Sequence, residues 1–252
     1  MPIKFSTGTT MPRWAWTEGL HQFGQQEIAV RLSWPEPDPR DQEIHLLLTF
    51  IETYIAHQPK RILGGQTMRY GWTMLRFVAD ERNESSLGTN RLLVEELREP
   101  FHWHEPVYVP GANRAIAITA LQHAAIRRNR ITGDTQSPHR SQFAIVCSRV
   151  TPQAIGTLRP LLAHRAWQPD VHDSGWFLGC HEDNHDHDDP DQLGKVHLQH
   201  LVTGFPGLLP YLAMPVDTLL VFEQEHVILF RPEEKDGRLD AAPLLQALPL
   251  LA

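Results

Sequence analysis

The sequence predicts an α+β protein built from two domains, each a mixture of sheet and helix. At 252 residues, the chain can form one large domain or two small ones, because a domain takes about 150 residues. Helical and strand patterns follow one another without the regular alternation of a doubly wound fold. A polar stretch over residues 129–139 contains Gly133 and Pro138 and separates two apolar-patterned halves. We therefore expect domains at residues 1–132 and 141–252.

Composition excludes several broad classes of protein. The two cysteines, Cys147 and Cys180, cannot form a disulfide framework, and free thiols are typical of a reducing compartment. The first ten residues lack the apolar core of a signal peptide. No window approaches the roughly 18 apolar residues of a membrane-spanning helix. A secreted disulfide scaffold, a membrane protein and a disordered chain are therefore not expected.

The first two elements have clear local signals. Apolar residues alternate along residues 28–32, which predicts a half-buried strand. Prolines at every second position in residues 34–40 then exclude a helix. Asp41 can cap a helix whose apolar residues recur at helical intervals over residues 44–55, and Pro59 ends it.

Turn residues and apolar spacing assign the other elements of the first half. They are a turn at residues 64–65, a strand over 68–78, a loop over 83–88, a short helix opened by Thr89 over 92–97, an edge strand within 102–109, and a helix over 113–128.

The same signals divide the second half. They predict a strand over 143–150, a helix beginning at Thr151 and Pro152, a short strand over 175–178, a helix over 196–202, a proline-bounded helical turn over 205–212, strands over 219–222 and 227–230, and an apolar tail over 243–251.

An acidic segment over residues 180–191 is the most distinctive feature of the charge distribution. It contains six carboxylates and no Lys or Arg, so it accounts for nearly all of the net charge of −7. Concentrated charge can steer a basic partner, whereas carboxylates repel the phosphates of nucleic acid. The alternative interpretation is an ordinary solvated loop. The predicted partner-binding residues are Glu182, Asp183, Asp186, Asp188, Asp189 and Asp191.

Metal-ligating residues lie in the same segment. Cys180, His181, His185 and His187 supply thiolate and imidazole ligands of the kind that zinc prefers. The segment lacks a Cys-x-x-Cys pair, a His-Glu-x-x-His helix and the spacing of a calcium loop. We therefore predict no cofactor and keep metal binding as an alternative. Cys147 lies in an apolar strand pattern and is expected in the core, while Cys180 is expected to be more exposed.

No catalytic constellation emerges from the sequence. A Gly-x-Ser-x-Gly motif is absent, and His102 and His104 are typical of an edge strand that flanks a buried Trp. Ser174, Gly175 and Trp176 precede the acidic segment, and we interpret them as a structural anchor with Trp176 buried at its base. We therefore do not expect an enzyme.

A set of ordered motifs in the C-terminal half resembles a known family. They are the strand over residues 144–148, the Asp-Ser-Gly-Trp motif at 173–176, Glu182, the Asp-Asp-Pro-Asp motif at 188–191, and Leu-Pro-Tyr-Leu-Ala-Met-Pro-Val at 209–216. Together they resemble the bacterial polymorphic-toxin immunity-protein domain family 33, earlier catalogued as a domain of unknown function. The resemblance spans about 80 of the 252 residues and leaves the N-terminal half unassigned. The chain departs from the family pattern in a shorter segment before Glu182 and a loop richer in His.

The resemblance implies a cytoplasmic, non-enzymatic protein that neutralises a toxin made by its own or a sister cell during bacterial competition. The implied partner is a cognate toxin, such as a basic nuclease delivered by a secretion system, with no direct contact to nucleic acid or membrane. An acidic loop can mimic a phosphate backbone and accelerate association with a basic site. Two alternatives remain open at this point: a metal-dependent enzyme using the Cys/His cluster, and a general protein-binding adaptor.

Overall fold

The computed structural model contains helices and two mixed sheets, which confirms the α+β class. Contacts divide the chain into two compact units: residues 1–100 with 105–120, and residues 101–104 with 121–252. This division falls inside the helix over Asn113–Arg128, which precedes the polar stretch over residues 129–139. The domain boundary expected in that polar stretch stays a prediction. The structure describes residues 2–6, 11–36, 38–58, 60–81, 90–101, 105–132, 135–158, 160–166, 170–181, 185–230 and 238–240.

Within its described residues, unit 1 contains a seven-stranded sheet of order β1-β2-β3-β6-β5-β4, with β7 also pairing to β6. The β3–β6 pair is parallel and the other pairs are antiparallel. The strands are β1 (Ile3–Phe5), β2 (Arg13–Thr17), β3 (Glu27–Leu32), β4 (Thr67–Tyr70), β5 (Thr73–Ala79), β6 (Arg91–Leu97) and β7 (Tyr108–Pro110). Unit 1 also contains a 3₁₀ helix over Leu20–Phe23 and helix α1 (Arg40–His57), and helix α2 (Asn113–Arg128) crosses the division between the units.

The main core of unit 1 forms where α1 covers one face of this sheet. Ile44, Leu47, Leu48 and Ile51 of α1 are fully buried in one cluster with strand residues such as Phe77. Their helical spacing predicted this element, and its bounds agree with the sequence pattern. The predicted helix over residues 113–128 is likewise confirmed as α2.

Asp41 does not cap α1 as expected. Pro39 occupies the cap position, and Asp41 lies in the first helical turn. Its carboxylate instead accepts hydrogen bonds from Arg13 Nη2 at 3.1 Å and from Trp34 Nε1 at 2.8 Å. A carboxylate in the first turn still interacts favourably with the positive end of the helix dipole.

The strand predicted over residues 68–78 is a hairpin of β4 and β5. Tyr70 pairs with Thr73, so Gly71 and Trp72 form a two-residue turn. Gly71 has a φ of 52°, and tight hairpin turns require this left-handed conformation, which glycine adopts at little cost. Trp72 is fully buried, which explains why the apolar pattern continues through the turn.

The short helix predicted over residues 92–97 is wrong, because this segment is strand β6. It lies between β5 on one side and β3 with β7 on the other, and both faces of it are covered. Leu92 and Val94 contribute to the main core, while Leu93 packs with Trp14 in a smaller cluster of buried residues. A strand buried on both faces gives a continuous apolar run, which local periodicity cannot distinguish from a helix.

Unit 2 contains a second seven-stranded sheet within its described residues, of order β11-β8-β10-β9-β12-β13-β14. The β8–β10 pair is parallel and every other pair is antiparallel. The strands are β8 (Phe143–Cys147), β9 (Leu161–Arg165), β10 (Asp173–Cys180), β11 (Leu193–His197), β12 (Leu219–Phe222), β13 (Val227–Phe230) and β14 (Arg238–Asp240). Helix α3 (Leu198–Gly204) is followed by a 3₁₀ helix over Pro206–Tyr211.

Most elements predicted for the second half are confirmed, with two corrections. The helix expected over residues 196–202 is divided between the end of β11 and α3. No regular helix follows Thr151, although its Oγ1 accepts a hydrogen bond from Ala154 N at 3.2 Å within a series of turns. The predicted loop over 83–88, residues 102–104 of the predicted edge strand and the tail over 243–251 lie outside the described residues.

Candidate functional site

The acidic segment begins where β10 ends, at one edge of the unit 2 sheet. Glu182 and Asp183 lie outside the described residues. Asp186, Asp188 and Asp191 are exposed, and Asp189 is half-buried. Among the residues that the structure describes, no cationic side chain forms an ion pair with these four carboxylates. Within the described part of the chain, no ion pair neutralises their negative charge.

Two of these carboxylates shape the backbone as well as carrying charge. Asp186 Oδ1 accepts a hydrogen bond from Asp188 N at 2.9 Å. Asp189 caps the 3₁₀ turn Pro190–Gln192 by accepting from Asp191 N at 3.0 Å. Short polar side chains favour such turns because they replace a backbone acceptor. Among these carboxylates, Asp189 is therefore the one whose replacement we most expect to disturb the backbone turn that leads into β11.

The strand register brings a second group of carboxylates to the same edge. Cys180 at the end of β10 pairs with Leu161, and Leu161 pairs with Phe222 at the end of β12. Glu223 and Glu225 follow Phe222 in the turn before β13, about 10 Å from β10 because neighbouring strands are about 4.8 Å apart. The sequence alone does not associate them with the acidic segment, since only the strand order places them here. We call Asp186, Asp188, Asp189, Asp191, Glu223 and Glu225 the acidic edge.

The Asp-Ser-Gly-Trp motif forms a bulge at the opposite end of β10. Asp173 pairs with Phe143 and Phe177 with Ile145, so β10 inserts extra residues against β8. Gly175 has a φ of 74°, a conformation that favours glycine at bulges. Ser174 Oγ donates to Phe143 O at 2.6 Å, and Gly175 N donates to Asp173 Oδ1 at 2.8 Å. Ser174 therefore stabilises a bulge within a strand.

Trp176 connects this bulge to the Leu-Pro-Tyr-Leu motif. Its side chain is 1% exposed, and its Nε1 donates to Leu212 O at 3.1 Å. Arg165 Nη1 donates to the same carbonyl at 3.0 Å and also to Met214 O. Trp176 and Leu212 lie 36 residues apart in the sequence. The two motifs that contain them thus meet in one buried contact.

Two cysteines and two histidines converge at the start of the acidic segment. Cys147, Cys180, His185 and His187 each place one ligand atom within 4.8 Å of the others. Cys180 is buried, contrary to the exposure expected from the sequence. Cys147 is buried as expected, yet it also belongs to this group, whereas His181 is exposed and lies outside it. The parallel pairing of β8 with β10 brings Cys147 close, and spacing along the chain cannot reveal that.

The segment that carries these features also matches a family model. Residues 122–230 match the Imm33-like domain. The match spans β8 to β13 of unit 2 and so includes the bulge, the cysteine–histidine group and the acidic edge. No curated protein and no solved structure matches the chain significantly.

This match agrees with the resemblance to immunity-protein domain family 33 that the motifs of the C-terminal half carry. The match does not extend to residues 1–121. Among the helices that the structure describes, none is both long enough and apolar enough to cross a membrane.

Proposed function

We propose that this chain is an immunity protein that binds a cognate bacterial toxin and neutralises it without catalysis. The match of residues 122–230 to the Imm33-like domain carries this proposal. The acidic edge supplies the contact surface: its exposed carboxylates in the segment after β10 have no cationic partner among the described residues. A cationic partner would relieve the repulsion between them.

A nuclease is the class of toxin that this surface fits best. Nucleases bind phosphates through Lys and Arg side chains, and a row of carboxylates presents the same sign of charge as a nucleic-acid backbone. Charge complementarity raises association rates above the usual 10⁵–10⁶ M⁻¹s⁻¹ and makes them depend on salt. The acidic edge would then cover the basic active site and exclude the substrate.

The experiment measures association between this chain and the protein encoded by the neighbouring gene, over a series of salt concentrations. The test variant is Asp186→Asn with Asp188→Asn, which removes two charges while the amide introduced at position 186 keeps an oxygen acceptor for the turn. The matched control is Asp170→Asn with Asp217→Asn. Both control residues are exposed and lie at the opposite end of the same sheet, where Asp170 Oδ1 accepts from His172 N and Asp217 N donates to Arg165 O.

The two variants carry the same net charge, so any difference between them reports where the charge lies. We expect the test variant to associate more slowly with a flatter salt dependence, and the control to stay close to wild type. Coexpression should rescue growth of cells that produce the partner. Equal rates for the two variants would place the contact away from the acidic edge, and an absence of both binding and rescue would contradict the immunity function.

A further inference from the structure

We propose that Cys147, Cys180, His185 and His187 form a structural zinc site. Cys147 and Cys180 are the last residues of the parallel strands β8 and β10, so their side chains meet at one edge of the sheet. His185 and His187 come from the segment directly after β10. Two thiolates and two imidazoles are a ligand set that selects zinc(II), and the two negative charges balance those of the ion.

The distances are close to those that a tetrahedral site needs. Bonds of about 2.3 Å to sulfur and 2.0–2.1 Å to nitrogen place tetrahedral ligand atoms about 3.3–3.8 Å apart. Cys180 Sγ and His187 Nε2 are 3.7 Å apart, a separation that already lies within this tetrahedral range. No two ligand atoms of the group are more than 4.8 Å apart. Small rotations of the ligand side chains can close the remaining gap of about 1 Å.

An unsatisfied polar atom points to a ligand at the same place. His185 Nε2 is buried and has no hydrogen-bond partner among the described residues. Buried polar atoms in native proteins nearly always have a partner, and an exception calls for an explanation such as a bound ion. The His185 ring packs edge-on against His187, with 4.9 Å between ring centroids. A zinc ion bound by both imidazoles supplies the missing interaction.

The surrounding backbone favours the same arrangement. Cys180 N donates to Cys147 Sγ at 3.4 Å, and second-shell hydrogen bonds of this kind orient metal ligands. Gly179 leaves room for the His187 ring, because a Cβ there would lie 3.0 Å from His187 Cε1 and 2.9 Å from Phe177 Cε1. A side chain at position 179 would therefore require the rings of Phe177 and His187 to shift.

The order of residues after β10 links the metal site to the acidic edge. His185 and His187 are half-buried, and the intervening Asp186 and Asp188 are exposed. Ligands and carboxylates therefore alternate along the segment, so a bound ion would hold the carboxylates outward. Four protein ligands leave no open position on tetrahedral zinc, which is typical of a structural site and not of a catalytic one.

The test is metal binding by the untagged full chain, kept reduced throughout and without any toxin present. Native mass spectrometry should show one zinc(II) per chain after metal-free protein is reloaded with zinc. Cobalt(II) should give the thiolate charge-transfer and d–d absorption of a tetrahedral complex. Cys180→Ser and His185→Gln should lower zinc affinity by more than the roughly 10–100-fold lost when an outer-shell partner is removed.

His181→Gln is the matched control, because His181 is exposed, adjoins Cys180 and lies outside the ligand group. This variant should bind zinc as wild type does. His185→Gln keeps the test valid if a cysteine variant fails to fold, and its melting curve without metal should match that of metal-free wild type. Folded, reduced protein that binds no zinc would overturn the proposal. Equal loss of affinity in His181→Gln and His185→Gln would also overturn it, since that result describes nonspecific chelation by a His-rich loop.

Discussion

Replacing Trp176 by Phe tests whether the contact between the Asp-Ser-Gly-Trp and Leu-Pro-Tyr-Leu motifs stabilises unit 2. The smaller ring leaves about 40 Å³ unfilled in a rigid core, which costs about 1 kcal/mol. The lost hydrogen bond from Nε1 to Leu212 O costs about 1 kcal/mol more. Leu212 O keeps Arg165 as a donor, so no buried carbonyl is left without a partner. We therefore expect unfolding of unit 2 to become easier by about 2 kcal/mol.

Trp72→Phe provides the matched control in unit 1. Trp72 is also fully buried, but its Nε1 has no hydrogen-bond partner among the described residues. This substitution creates a similar cavity and removes no hydrogen bond, so we expect a cost of about 1 kcal/mol or less. Urea unfolding followed by circular dichroism measures both values, and calorimetry separates the transitions of the two units. An equal cost for the two variants would show that the bond to Leu212 contributes nothing.

Three further predictions concern single positions. Gly175→Ala should destabilise unit 2 by about 1–2 kcal/mol, because a side chain strains the left-handed backbone of the bulge; an unchanged melting temperature would contradict this. Burial raises the pKa of Glu96, which accepts a hydrogen bond from Ala115 N. The Glu96 carboxyl group therefore holds its proton more strongly in the folded state than in the unfolded state. Wild type should lose stability relative to Glu96→Gln as the pH rises through this raised pKa. Urea unfolding across a pH series measures the difference. Asp189→Ala should lower the melting temperature more than Asp188→Ala, since only Asp189 caps the turn before β11; equal shifts would argue against the cap.

Local patterns predicted those elements whose two faces differ. Helix α1 has one apolar face, and strands β12 and β13 are bounded by turns, so their sequences determined their bounds closely. Strand β6 was predicted as a helix because burial on both faces gives it an apolar run over residues 92–94 in place of strand alternation. The position of β6 inside the sheet follows from the order of the strands, and the sequence of a single segment does not contain that order.

The candidate site was predicted only where its residues are close in sequence. The acidic segment and its histidines occur together in the chain and were found directly. Cys147 lies 33 residues before Cys180, and Glu223 lies farther still along the chain. Both reach the site through the pairing of β8, β9, β10 and β12, which depends on long-range contacts. The bulge at Gly175 was likewise hidden, since a glycine before an aromatic residue also suits an ordinary turn.

Strand β10 carries two structural features, one near each of its ends. Its first residues form the bulge and the contact with Leu212, while its last residue begins the acidic segment. Trp176 lies four residues before Cys180, which is about 13 Å along the strand, and the free-energy effects of substitutions that far apart usually add. Under the proposed function, substitutions in the acidic segment would therefore change partner binding while the other end of the strand preserves folding. Such independence allows binding specificity to diverge rapidly on a constant scaffold.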